Sequence, residues 1–113
     1  RLHRRLLLGL TGPHHPDPVI YLIGISLSAS AAADTTRPTS SGVLRALRRA
    51  VHPTDPVETA RALVTGGSVR IALCVDCPDE LDAVGRALGI CRRMLAADPP
   101  ELRGYAVADC RRL

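Results

Sequence analysis

Three runs rich in β-branched and aliphatic residues, Val19–Ser28 (VIYLIGISLS), Val69–Val75 (VRIALCV) and Tyr105–Cys110 (YAVADC), alternate with stretches whose apolar residues recur at helical spacing. Alternation of this kind favours a sheet with helices packed on it, joined by right-handed crossovers, and is commonest in largely parallel sheets. It restricts the chain to a small α/β domain. The expected order is β-α-α-β-α-β, with a mostly parallel or mixed sheet of three to four strands in a two-layer or three-layer arrangement.

The first run is apolar at odd and even positions alike, the pattern of a central strand buried on both sides. After a loop of small and polar residues, Ser40 or Ser41 can cap a helix over Val43–His52. Val43, Leu44, Leu47 and Val51 share one side of it, and Arg45, Arg48, Arg49 and His52 the other, with Pro53 ending it. Asp55-Pro56-Val57-Glu58 then reads as a second helix start, with an acid at the cap, Pro at the first helical position and Glu at the third. That helix runs through Val64 to a stop at Gly66. The longest helix is expected over Asp79–Ala97, with acids in its first turn and Arg92 and Arg93 in its last. Leu81, Val84, Leu88, Cys91 and Leu95 form its inward stripe, Arg86 and Arg93 face outward, and Asp98-Pro99-Pro100 stops it. Residues 1–10 fit a strand or a helix. If residues 5–11 form a strand, a hairpin leads the fold and the sheet resembles the mixed sheets of ferredoxin-like sandwiches.

With 113 residues the chain makes one domain with a modest core. That core must be aliphatic, because the sequence has two Tyr, no Phe and no Trp. All fifteen basic residues are Arg, and Lys, Asn and Gln are absent. The missing types mostly use AT-rich codons, so a GC-rich source, such as an actinobacterium or a large DNA virus, accounts for the bias. It also weakens any argument that Arg was selected over Lys for bidentate contacts. The chain begins at Arg1, which suggests a processed chain or a module of a larger protein. The longest charge-poor run, residues 19–33, falls short of the ~20 apolar residues needed to span a membrane. Four Cys are too few for a disulfide scaffold, and an intracellular, reduced setting is expected, in cytoplasm or nucleus.

Five features carry chemistry. Cys74-x-x-Cys77 stands where an apolar run meets Pro78 and Asp79, and such spacing suits a redox pair or half a zinc site. Acids at 76 and 79 oppose a thiolate there, and no second knuckle exists, so thiols packed in the core are expected, with Cys74 pointing inward and Cys77 at the helix cap. His14, His15 and Asp17 are metal-ligating types in a proline-rich loop. Ser40, Ser41 and Gly42 precede a helix, where backbone amides can hold an anion, though no phosphate-binding fingerprint accompanies them. Residues 1–54 carry a net charge of +5 and residues 55–113 a net −1. Arg45, Arg48, Arg49 and His52 make a compact basic face, with Arg1, Arg4 and Arg5 a second cluster. Such faces meet acidic protein surfaces or phosphate backbones, but no aromatic residue lies among them for base stacking. The reading is a non-catalytic protein–protein interaction or assembly module, needing no cofactor or metal, whose partner is another protein or the rest of its own parent chain. The alternatives are nucleic-acid binding through the arginine face and a thiol-redox or zinc site at Cys74 and Cys77.

Overall fold

The computed structural model describes residues 19–30 and 37–113. The order is β1 (Val19–Ala29), α1 (Ser40–Ala50), β2 (Val57–Thr65), β3 (Ser68–Cys77), α2 (Glu80–Ala96), a 3-10 turn (Pro100–Leu102) and β4 (Tyr105–Arg112). The four strands make one sheet in the order β2-β3-β1-β4, and every neighbouring pair is antiparallel. This corrects the expected parallel or mixed sheet and the β-α-α-β-α-β order. The chain is βαββαβ, the split-βαβ topology of ferredoxin-like domains.

One misassigned segment accounts for both errors. Val57–Thr65, expected as a helix, is a strand. Its β-branched residues Val57, Thr59, Val64 and Thr65 favour a pleated surface. The two glycines after it close a two-residue hairpin to β3, with Thr65 opposite Ser68 and Gly66 at φ +61°, a conformation that favours glycine. The helix-start signal at Asp55 is engaged elsewhere: its carboxylate accepts from the His52 amide at 2.7 Å and from Arg93 at 3.0 Å. A hairpin forces β2 and β3 antiparallel. The two crossovers then interleave, β3 lying between β1 and β2 and β1 between β3 and β4, so each helix still joins strands of like direction that are not neighbours.

The three other expected strands, Val19–Ser28, Val69–Val75 and Tyr105–Cys110, hold to within two residues, α1 and α2 occupy the expected stretches, and the strand or helix expected in residues 1–11 lies outside the described residues. Thr39, not Ser40 or Ser41, caps α1, its hydroxyl accepting from the Gly42 amide at 3.0 Å. Asp79 caps α2, accepting from the Asp82 amide at 2.8 Å. Asp98, at φ 54°, and the prolines after it end that helix.

Both helices bury side chains against one face of the sheet. Ile23, Ile25 and Leu27 of β1 stand opposite Leu73, Ile71 and Val69 of β3, all closed to solvent. Val43, Ala46, Leu47 and Ala50 of α1, and Ala83, Ala87, Ile90, Cys91 and Met94 of α2, cover them, and Leu102 closes the end of the core. The layers number two. The stripe expected on α2 was rotated. Cys91 is buried as expected, but Leu81 is 84% exposed and Leu88 lies only partly covered, outside the core cluster. Alanines at 83 and 87 let the helix backbone approach the sheet, so that side goes inward and Val84 and Leu95 pack along its flank. Arg86 is exposed as expected. Arg93 is half-buried, donating to the Ala50 carbonyl at the end of α1 as well as to Asp55.

Candidate functional site

The chemistry-bearing residues of the sequence divide into those the fold brings to one surface and those it separates. Cys74 and Cys77 are separated. Both lie within β3, and side chains three apart on a strand point to opposite faces. Cys74 faces away from the helices and is half-buried. Cys77 is in the core, 1% exposed. Cys77 was expected at the helix cap and Cys74 inside, and the alternation along β3 reverses them. Burial, reinforced by a hydrogen bond with Asp82 and by that carboxylate's charge, pushes the Cys77 thiol up to about 11. Burial pushes Cys91 up to about 12, with Cys110 adding to it. All four thiols are free. Among the described residues no three His, Cys, Asp or Glu side chains gather as a metal site. At pH 7.5, an expected result follows: Cys77 and Cys91 resist alkylation in the folded protein and react at normal rates only after denaturation, since the thiolate is the reactive form. Labelling of either at the unfolded rate, read by mass spectrometry, would contradict this placement.

Ser40, Ser41 and Gly42 begin α1, but their groups have internal partners. The Ser40 hydroxyl accepts from the Val64 amide of β2 at 3.0 Å, and the Gly42 amide is taken by Thr39. The Glu101 carboxylate also lies close to Gly42: a Cβ at that position would come within 3.3 Å of Glu101 Oε2. An anion arriving at this helix end would meet an acid already in place. His14, His15, Asp17 and the Arg1, Arg4 and Arg5 cluster lie outside the described residues.

Arg45, Arg48, Arg49 and His52 are brought together. All four are exposed on the outer side of α1 and the turn after it. None of the three arginines makes an ion pair with a described acid. Arg48, Val51 and His52 form one wall of a groove whose other wall is β2, through Val57, Ala60 and Arg61.

A second surface lies on the sheet face away from the helices. One rung of the ladder runs Arg61–Ala72–Gly24–Arg111 across all four strands, and the next runs Leu63–Arg70–Ser26–Asp109. Small residues in the middle and long ones at the rim make a shallow depression. Leu113 lies over its floor, and a Cβ on Gly24 would come within 2.8 Å of the Leu113 side chain, so glycine is required for that contact. Leu22 and Leu63 are 43% and 55% exposed, and Ile20 extends the apolar surface toward one end. Arg61 and Arg70 pair with no described acid, whereas Arg111 is held by Asp109 at 3.3 Å. Sequence reasoning missed this surface, because the register that brings Arg61 and Arg111 into one rung depends on a strand it read as helix. Its one signal was β1 itself, apolar on both faces.

Among the described residues no helix is long and apolar enough to cross a membrane. No family model matches this sequence, and no curated protein is similar enough to count as a relative.

Proposed function

We propose that this chain is a non-catalytic protein–protein interaction module whose main contact surface is the open face of its sheet. The observation that carries the reading is the mismatch between β1 and its surroundings. Its sequence is apolar on both sides, as in strands covered twice, yet among the described residues one side has no covering layer and leaves Ile20 and Leu22 in solvent, with Leu63 exposed on the same face two rungs away. Exposed apolar side chains on an uncovered sheet face, rimmed by charge, mark a docking site. The arginines at 61 and 70 suit a partner that brings acidic side chains to the border of an apolar patch.

The test is a Leu22→Asp, Leu63→Asp double variant. Neither side chain belongs to the core, so melting should stay close to that of the unchanged protein. Partners retrieved from the native source, identified by mass spectrometry and reconstituted from purified components, should bind the unchanged chain and lose the variant. Equal binding by both would overturn the reading.

The nucleic-acid reading keeps one supporting observation, the exposed arginines of α1. Its signature would be duplex binding whose affinity falls steeply with salt and is lost when Arg45, Arg48 and Arg49 become Glu.

A further inference from the structure

We propose that the free edge of β2 accepts an extended, acidic segment of a partner protein as a fifth strand, with the arginine ridge of α1 as the wall beside it. This goes beyond the open face, since it uses the outer edge of β2, and shares with that reading the premise that the chain binds protein and the side chain of Arg61, which borders both surfaces. Backbone phase is the starting point. The Val64 amide points away from β3, because the Ser40 hydroxyl accepts it. With the two-residue period of a strand, the amides and carbonyls of Ala62 and Ala60 point the same way. Neither residue's outward groups bond to another described residue. An edge with unpaired donors and acceptors is a template for another strand. Here the side chains that could obstruct it are alanines.

The two ends of the edge are handled differently. Ser40 covers the Val64 end, and a register irregularity between Val57 and Thr59 marks the other, leaving the regular stretch from Thr59 to Leu63 without a strand partner on its outer side among the described residues. The opposite edge of the sheet, β4, has its own register shift near its middle, between the partners of Ser26 and Leu27, and carries the charged residues Asp109, Arg111 and Arg112, a combination that discourages pairing.

Charge selects the occupant. Arg48, His52 and Arg61 line the groove beside β2 against one acid, Glu58. A strand laid here would place alternate side chains against that ridge, so acidic residues at every second position fit. Single-stranded nucleic acid fits less well, since no aromatic side chain lines the groove as a stacking platform.

The experiment is fluorescence anisotropy with a labelled peptide of about ten residues, the length of an ordinary strand, alternating Glu with Val. Saturable binding is expected. It should weaken by about tenfold or more in Ala60→Pro, which removes an outward amide while leaving the ladder to β3, as loss of one or two backbone hydrogen bonds implies. Arg48→Glu should weaken it comparably, and a Lys-for-Glu peptide should not bind. The same peptide N-methylated at alternate residues should fail on the unchanged protein, which keeps the test valid if Ala60→Pro unfolds. The Leu22→Asp variant, changed on the interior strand β1, should bind the peptide normally, which separates this site from the open face. Absence of binding, equal binding of the N-methylated peptide, or tighter binding of a single-stranded oligonucleotide would each overturn the proposal.

Discussion

Replacing Leu73 with alanine should destabilise the domain by roughly 2–5 kcal/mol, the range for deleting a buried leucine side chain. Leu73 is on β3, an interior strand, and has no accessible surface. Across the ladder it faces Ile23 on one side and Ala60 on the other, with the helix layer above. The core around it is aliphatic, and its closest cross-strand neighbour on β2 is an alanine, so little mass is available to fill the space left behind. The expected effect is at the upper part of the range for that reason. Leu81→Ala is the matched control, a leucine 84% exposed on α2, where the change should stay within about 0.5 kcal/mol. Urea unfolding reads both. Comparable losses at the two positions would mean that the inward face of α2 or of β3 is assigned wrongly.

The contrast between these leucines shows where the sequence was informative. Three of the four strands could be read from the sequence: β1 and β3 from their runs of Val, Ile and Leu, and β4 from the short stretch Tyr105–Cys110, which holds one Val. The helices were visible through their apolar spacing and stops, and α2 also through acids at its start, whereas the capping signal at Asp55 pointed to a helix where β2 lies. What periodicity could not give was the phase of α2. Both Leu81-Val84-Leu88-Cys91-Leu95 and Ala83-Ala87-Ile90-Cys91-Met94 recur at helical spacing, and ranking them by side-chain size chose the wrong side. Close approach to the sheet favoured the alanines, a tertiary requirement that no local pattern reports.

The site was less legible than the fold. The arginine ridge of α1 was readable because it needs only helical spacing. The groove beside it and the rung from Arg61 to Arg111 were not, because both depend on β2 being a strand and on its register. Leu22 and Ile20 were visible as apolar residues, but sequence alone assigns such residues to the interior. Their exposure follows from the described residues forming two layers, with both helices on the other face of the sheet.

The residue that misled the reading of β2 also makes a sharp prediction. Asp55→Asn should lower stability at pH 7 by roughly 1–2 kcal/mol, the scale of charge-assisted hydrogen bonds at a partly exposed site. The Asp55 carboxylate accepts from the His52 amide at 2.7 Å and from Arg93 at 3.0 Å, while the Asp55 amide returns a bond to the His52 carbonyl at 2.9 Å. Arg93 donates to the Ala50 carbonyl as well, so one guanidinium ties the end of α1 to the turn leading into β2. Asparagine keeps an oxygen for the amide but loses the charge that holds Arg93. Burial raises the proton affinity of the carboxyl and is the largest single influence on it. The His52 amide, then the hydrogen bond and charge of Arg93, together outweigh burial and hold the group below the usual 3.8. The sign follows from that direction. Above about pH 5 the carboxyl is ionised in folded and unfolded chains, and its contribution is complete. As pH falls through the unfolded value, the unfolded chain takes up a proton first, and the contribution declines until the folded carboxyl is protonated too. The gap between the unchanged protein and Asp55→Asn should therefore be constant from pH 7 to about pH 5 and shrink below about pH 4. Denaturant melts across that range measure it, and a gap that widened on acidification would mean that the Arg93 contact does not govern this carboxyl.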